Sequence, residues 1–258
     1  MRLVESLRPG SPGQVPRFTH YSERVGVGEA LGWGALAASS LVLGALIGLA
    51  RPWPERLVGL VLAFGAGALV SAVSFELAQD GVEIGGPGSV AIGMTLGALT
   101  FYVLDGVVER RTKGSGGGSA LALGAFLDGI PEQFVLGLGL ATGGGVSVGL
   151  LAAIFVSNVP EAVGSASAMR AGGRDRGTIL RMWIVVAVVC ALASAVGFGI
   201  ADSTGDHLEG GVNGFAAGAL LVMLVDSMIP QATKQAGRTT GLVTALGFAV
   251  ASGLSGIA

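Results

Sequence analysis

Residues 119–141 read SALALGAFLDGIPEQFVLGLGLA. This is the length of a helix that crosses a hydrocarbon layer about 30 Å thick, and it holds no Lys or Arg. Its centre nevertheless carries Asp128, Pro131 and Glu132. A proline inside a helix removes a hydrogen bond, and an ionised carboxylate at the centre of a membrane helix costs about 2.5–3.5 kcal/mol on insertion scales. The arrangement recurs in residues 147–169, SVGLLAAIFVSNVPEAVGSASAM, where Glu161 follows Pro160 and Ser157 and Asn158 stand one turn earlier.

The rest of the chain fits the same solvent. Of its 258 residues 51% are apolar and only 12% charged, with a mean hydropathy of +0.73, whereas soluble domains carry about 25% charge. An all-α polytopic membrane protein in a lipid bilayer is expected, with eight transmembrane helices at roughly 29–50, 56–79, 88–109, 119–141, 147–169, 178–201, 210–233 and 240–258. The 46 glycines show no collagen period and lie among Ala, Leu and Val, as where membrane helices approach closely. Residues 1–28 are polar and contain Pro and Gly. They lack the apolar core of a signal peptide and are expected to be a mobile tail before the transport domain at 29–258. Cys190, the sole cysteine, permits no intrachain disulfide. A net charge of −2 gives no indication of a nucleic-acid partner. The run GSGGGS at 114–119 lacks the Lys-Ser/Thr of a phosphate-binding loop and is expected to be a flexible connection. No nucleophile–base constellation is present, so neither an enzyme nor a cofactor is expected.

Orientation follows from charge. The connections after spans one, three, five and seven hold Arg51, Arg56, Arg110, Arg111, Lys113, Arg170, Arg174, Arg176, Lys234 and Arg238; those after spans two, four and six hold no Lys or Arg, but Asp80, Glu83, Asp202, Asp206 and Glu209. The positive-inside rule makes the first set cytoplasmic and both termini extracytoplasmic. Arg2, Arg8, Arg17 and Arg24 in the tail run against that bias.

Spans four and five are consecutive, hence antiparallel, and each has a proline–glutamate pair near its middle. Such inverted, broken helices point to a transporter's binding site. Asp128 and Glu132 share a helix face, as do Ser157 and Glu161 at the same spacing, and Asn158 is three residues from Glu161. Pro131 cannot donate to the carbonyl of Leu127, nor Pro160 to that of Val156. Carboxylate, amide, hydroxyl and carbonyl oxygens together suit a divalent cation. Asp105 and Glu76 lie nearer span ends, where solvation explains them.

The motifs DGIPE and SNVPE resemble the paired proline–glutamate motifs of the ZIP (Zrt/Irt-like) family of divalent-metal transporters. AFGAGALVSAVSFELAQD, LGALTFYVLDGVVER and GFAAGALLVMLVDSMIPQA are similar to that family's second, third and seventh spans. The resemblance implies a mid-membrane metal site with Glu132 and Glu161 as ligands. Asp128 would stand at the usual histidine position and Ser157 at the usual glutamine or histidine, with Asn158 as a second-site ligand and Asp226 as an acidic access residue on span seven. Gly129 replaces the family's asparagine, Ser227 replaces an acid common after Asp226, and span six shows no acid. Oxygen ligands suit Mn²⁺, Fe²⁺ or Mg²⁺ better than Zn²⁺, although carboxylates bind zinc as well.

The reading is a transporter of a divalent metal ion in the inner membrane of the cell, directed toward the cytoplasm. A homodimer is compatible with it. Two alternatives stand beside it: a proton-coupled carrier of another solute, and a membrane protein that binds or senses metal without moving it.

Overall fold

A computed structural model describes residues 26–51, 53–112, 117–141, 148–202 and 205–255. All regular structure among them is helical. The order is α1 (Val27–Ala50), α2 (Glu55–Ala72), a π-helical segment (Val73–Gln79), α3 (Asp80–Gly85), α4 (Pro87–Thr112), α5 (Gly117–Ala141), α6 (Val148–Ala171), α7 (Arg176–Asp202), α8 (Asp206–Met223), a second π-helical segment (Leu224–Met228), α9 (Ile229–Ala236), a short 3₁₀ turn (Gly237–Thr239) and α10 (Thr240–Ser255). Among the described residues, six helical segments are long and apolar enough to cross a membrane: Val27–Ala50, Glu55–Gly85, Pro87–Val108, Val148–Ala171, Arg176–Ile200 and Asp206–Leu254.

The helix ends differ from expectation in a few places. The second segment stays helical to Gly85 rather than stopping near 79. It ends where Gly86 adopts φ 84°, a left-handed conformation that suits glycine at a helix C-terminus. α5 begins at Gly117, so part of the run expected as a loop is helical. The longest segment reverses at Gly237, whose φ is 65°. Of the expected mobile tail, residues 1–28, positions 27 and 28 already belong to α1, while residues 1–25 and the connections 113–116 and 142–147 lie outside the described residues.

α5 and α6 pack on each other. α6 is flanked by α1 and α2, and α5 by α1 and α7, with α8 and α4 beyond; α4 lies along α8 and α10 along α2. Small residues make the close contacts. A Cβ at Gly137 of α5 would run into the Ser194 carbonyl of α7, and one at Gly197 into the Phe134 carbonyl. Such a stripe lets two backbones meet without the water-driven force that packs soluble helices. Ser194, buried, donates to the Ala30 carbonyl at 3.0 Å, which draws α1 into the same junction. Leu62, Leu69, Ile154 and Leu220 fill the interior, while Ile92, Leu96, Leu99, Val185, Leu242 and Leu246 point outward. So large an outward apolar surface is untenable in water and ordinary in lipid.

Three contacts fix which helix ends lie together. Ser167 donates to the Gly48 carbonyl at 3.1 Å, Gly59 packs on Gln235, and Gly85 packs on Asp206 and Gly210. Arg51, Arg56, Arg170 and Lys234 therefore gather at one end of the bundle, and Asp80, Glu83, Asp206 and Glu209 at the other. At the basic end the Arg51 guanidinium lies 4.0 Å from the centre of the Trp53 ring, and the Trp53 indole N–H donates to the Ile47 carbonyl at 3.1 Å. Trp beside Arg is the usual furnishing of a membrane–water boundary. At the acidic end His207 Nδ1 is 2.9 Å from the Gly85 carbonyl. A carbonyl can only accept, so Nδ1 carries the proton.

Candidate metal centre

α5 and α6 run on as helices through their internal prolines, Pro131 and Pro160. Each proline lacks the N–H that would satisfy the carbonyl four residues earlier. Two backbone oxygens, of Leu127 and Val156, are thereby released at the level of the glutamates. The neighbouring helix must leave room at this level, and α2 does so with a glycine: a Cβ at Gly65 would lie 2.9 Å from Ser157 Cα.

Glu132 is buried, 2% exposed, as are Ser157 and Asn158 at 0% and 1%. Glu161 is half-buried. The Ser157 hydroxyl lies 3.2 Å from Glu132 Oε1 and 3.0 Å from the Ile154 carbonyl. Its single proton is shared between two acceptors, and its lone pairs remain outside both bonds. Glu132 and Glu161 are near enough for their charges to interact. Among the described residues, Glu132 Oε2 and both amide atoms of Asn158 have no hydrogen-bond partner. Buried polar atoms are seldom left so, because each forfeits about 1–3 kcal/mol. Here they are three, on facing helices, at the same level. Beside them Gln133, in the amide orientation that satisfies both of its ends, donates to the Gly34 carbonyl and accepts from the Ala38 N–H, each at 3.3 Å. α5 is thus pinned to α1 one residue from Glu132.

The structure brings Glu132, Ser157, Asn158 and Glu161 into one neighbourhood between α5 and α6. The Asp128 backbone belongs to α5, and its side chain lies outside the described residues. Asp226 is elsewhere: it is exposed and lines an apolar groove of about 790 Å³ between α4 and α8 with Met94, Tyr102 and Val225. No three of the His, Cys, Asp and Glu side chains described converge closely enough to hold an ion in this conformation. The arrangement is two carboxylates, a hydroxyl and an amide, partly unsatisfied, without a closed coordination shell.

One neighbour of the site was not anticipated from sequence. Cys190 of α7 is fully buried, and a Cβ at Gly129 would lie 3.0 Å from its Sγ. No spacing along the chain links positions 129 and 190. The only hint was that both fall near the middle of their spans.

No family model matches the chain. It is similar to a proposed zinc transporter of Arabidopsis thaliana, 28% identical over 189 residues that cover 69% of this chain and 30% of that protein. The chain thus spans under a third of its relative's length. The long apolar helices and this likeness together mark a membrane protein related to a metal transporter.

Proposed function

We propose that the chain carries a divalent metal ion across the membrane through the site between α5 and α6, as a ZIP-type transporter, with flux toward the cytoplasm. The observation that carries this is Glu132: a fully buried carboxylate in mid-helix, with one oxygen unpartnered and a second carboxylate, Glu161, close by. Like charges in a low-dielectric interior repel strongly, and a divalent cation between them turns that cost into attraction. Ser157, Asn158, Asp128 and the carbonyls freed by the prolines supply further oxygens. Asp226 serves as an access residue on a separate path. The six segments read as eight crossings once the Asp206–Leu254 segment is counted as two, folded back at Gly237, and α5 is added as a further crossing. Zinc is the cargo favoured by the likeness to the plant protein. No covalent chemistry is involved.

Uptake into proteoliposomes is the test, run with Zn²⁺, Mn²⁺, Fe²⁺, Mg²⁺ and Cd²⁺. Glu132→Gln and Glu161→Gln keep volume and remove charge, so both should insert normally and lose most uptake. Two glutamine variants that transport like the parent would move the site elsewhere. Metal binding without flux would favour a sensing role, and flux of a different solute would favour a proton-coupled carrier.

A further inference from the structure

α7 brings a sulfur atom to a site otherwise made of oxygens. Cys190 is the only cysteine of the chain, is unbonded, and is 0% exposed. Its Sγ faces Gly129, where a methyl group would come within 3.0 Å. Gly129 precedes Glu132 by three residues and so lies on the same face of α5. The thiol is near enough to both Glu132 and Glu161 to feel their charges. α5 and α7 also meet through Gly137 and Gly197, so this proximity belongs to a tight helix pair.

A buried cysteine is often just a small apolar residue. Cys190 does touch such surroundings, packing in a cluster with Ala38, Ala162, Ala166 and Val186. Apolar packing does not account for what lies on its other side. On the same face of α5 as Gly129, Glu132 keeps a buried Oε2 without a hydrogen-bond partner among the described residues. Nor does it account for the missing side chain at position 129, which leaves the sulfur room.

We infer that Cys190 is a soft ligand of the cation site, engaging the ion held by Glu132 and Glu161 and biasing the site toward zinc- and cadmium-like ions. This rests on the metal-site reading above. Since the three side chains do not already form a closed set, binding must bring them closer together. On binding, the S–H bond is exchanged for a sulfur–metal bond and the proton leaves to solvent; no electron is transferred. Thiolate selects softer cations, so the oxygen-based expectation of Mn²⁺, Fe²⁺ or Mg²⁺ is reversed.

Because the chain has a single thiol, cadmium reads it out directly. Purified full-length protein titrated with Cd²⁺ should develop the ultraviolet charge-transfer band of a cadmium–thiolate bond, and Cys190→Ser should lack it. In vesicles, Cys190→Ser should lower the Zn²⁺ to Mn²⁺ uptake ratio by about tenfold or more, since even residues that only orient a ligand cost about 10–100-fold in metal affinity. Monodisperse elution and a cooperative thermal transition in detergent would show that the variant is folded. Cadmium bound by equilibrium dialysis, in a manner sensitive to Glu132→Gln but without the band, would overturn the role of Cys190 and leave the metal site standing. No binding of Cd²⁺ or Zn²⁺ by the parent would overturn both. If Cys190→Ser fails to fold, the band in the parent decides alone.

Discussion

At the scale of single residues, Ser157 has the most legible chemistry. Its hydroxyl approaches Glu132 Oε1 at 3.2 Å and holds that carboxylate in one orientation. A hydrogen bond to a charged group contributes about 1.5–3 kcal/mol, roughly tenfold or more in an equilibrium constant. Ser157→Ala should therefore insert and fold, and raise the KM for metal uptake about tenfold with a smaller change in maximal rate. An unchanged KM in concentration-dependent uptake would mean that Ser157 orients nothing the ion uses. Metal should also stabilise the folded protein, by about 2.7 kcal/mol at a concentration one hundred times Kd. Thermal unfolding of the purified parent with and without Zn²⁺ should show the rise, and Glu132→Gln should lose it. The proline–glutamate pairs announced this neighbourhood because charge and helix-breaker in an apolar run are costly wherever they occur. Cys190 gave no such signal. A thiol in an apolar run costs nothing, and only the packing of α7 on α5 sets it beside Gly129.

At the scale of elements, apolar length was enough to expect helices throughout, since a membrane helix must satisfy its own backbone. Local departures from α geometry were not readable in the same way. The π-helical segment Leu224–Met228 has a cause in the sequence: Pro230 cannot donate to the Asp226 carbonyl, which loosens the helix at that turn. The segment Val73–Gln79 contains no proline, and nothing in the structure explains it. The close approach of α5 to α7 yields a paired prediction. A Cβ at Gly137 meets the Ser194 carbonyl, whereas one at Gly139 meets nothing within 4 Å. Gly137→Ala should destabilise the protein by about 1–3 kcal/mol through overpacking. Gly139→Ala, two residues away, should leave it unchanged or slightly steadier, as alanine is the better helix former. Thermal unfolding in detergent compares them, and equal behaviour would mean that α5 and α7 are not held by this contact.

At the scale of the whole molecule, the two ends of the bundle differ in sign. Asp80, Glu83, Asp206 and Glu209 stand at one end and Arg51, Arg56, Arg170 and Lys234 at the other, tied there by the contacts of Gly85 with Asp206 and of Ser167 with Gly48. An acidic mouth raises the local concentration of cations and speeds their arrival, an effect that salt screens. Basic residues are retained on the cytoplasmic face during insertion. On the proposed reading both effects would orient the molecule alike, with the acidic end outside to gather metal and the basic end inside. The orientation can be read with single cysteines in a Cys190→Ala background. Gly88, exposed at the acidic end, and Gly172, exposed at the basic end, each accept a side chain without close contact. Gly88→Cys should react with a membrane-impermeant maleimide in intact cells. Gly172→Cys should react only after the cells are opened. The opposite pattern would place the basic end outside, against the charge bias, and would reverse the direction in which an acidic mouth could feed the site between α5 and α6.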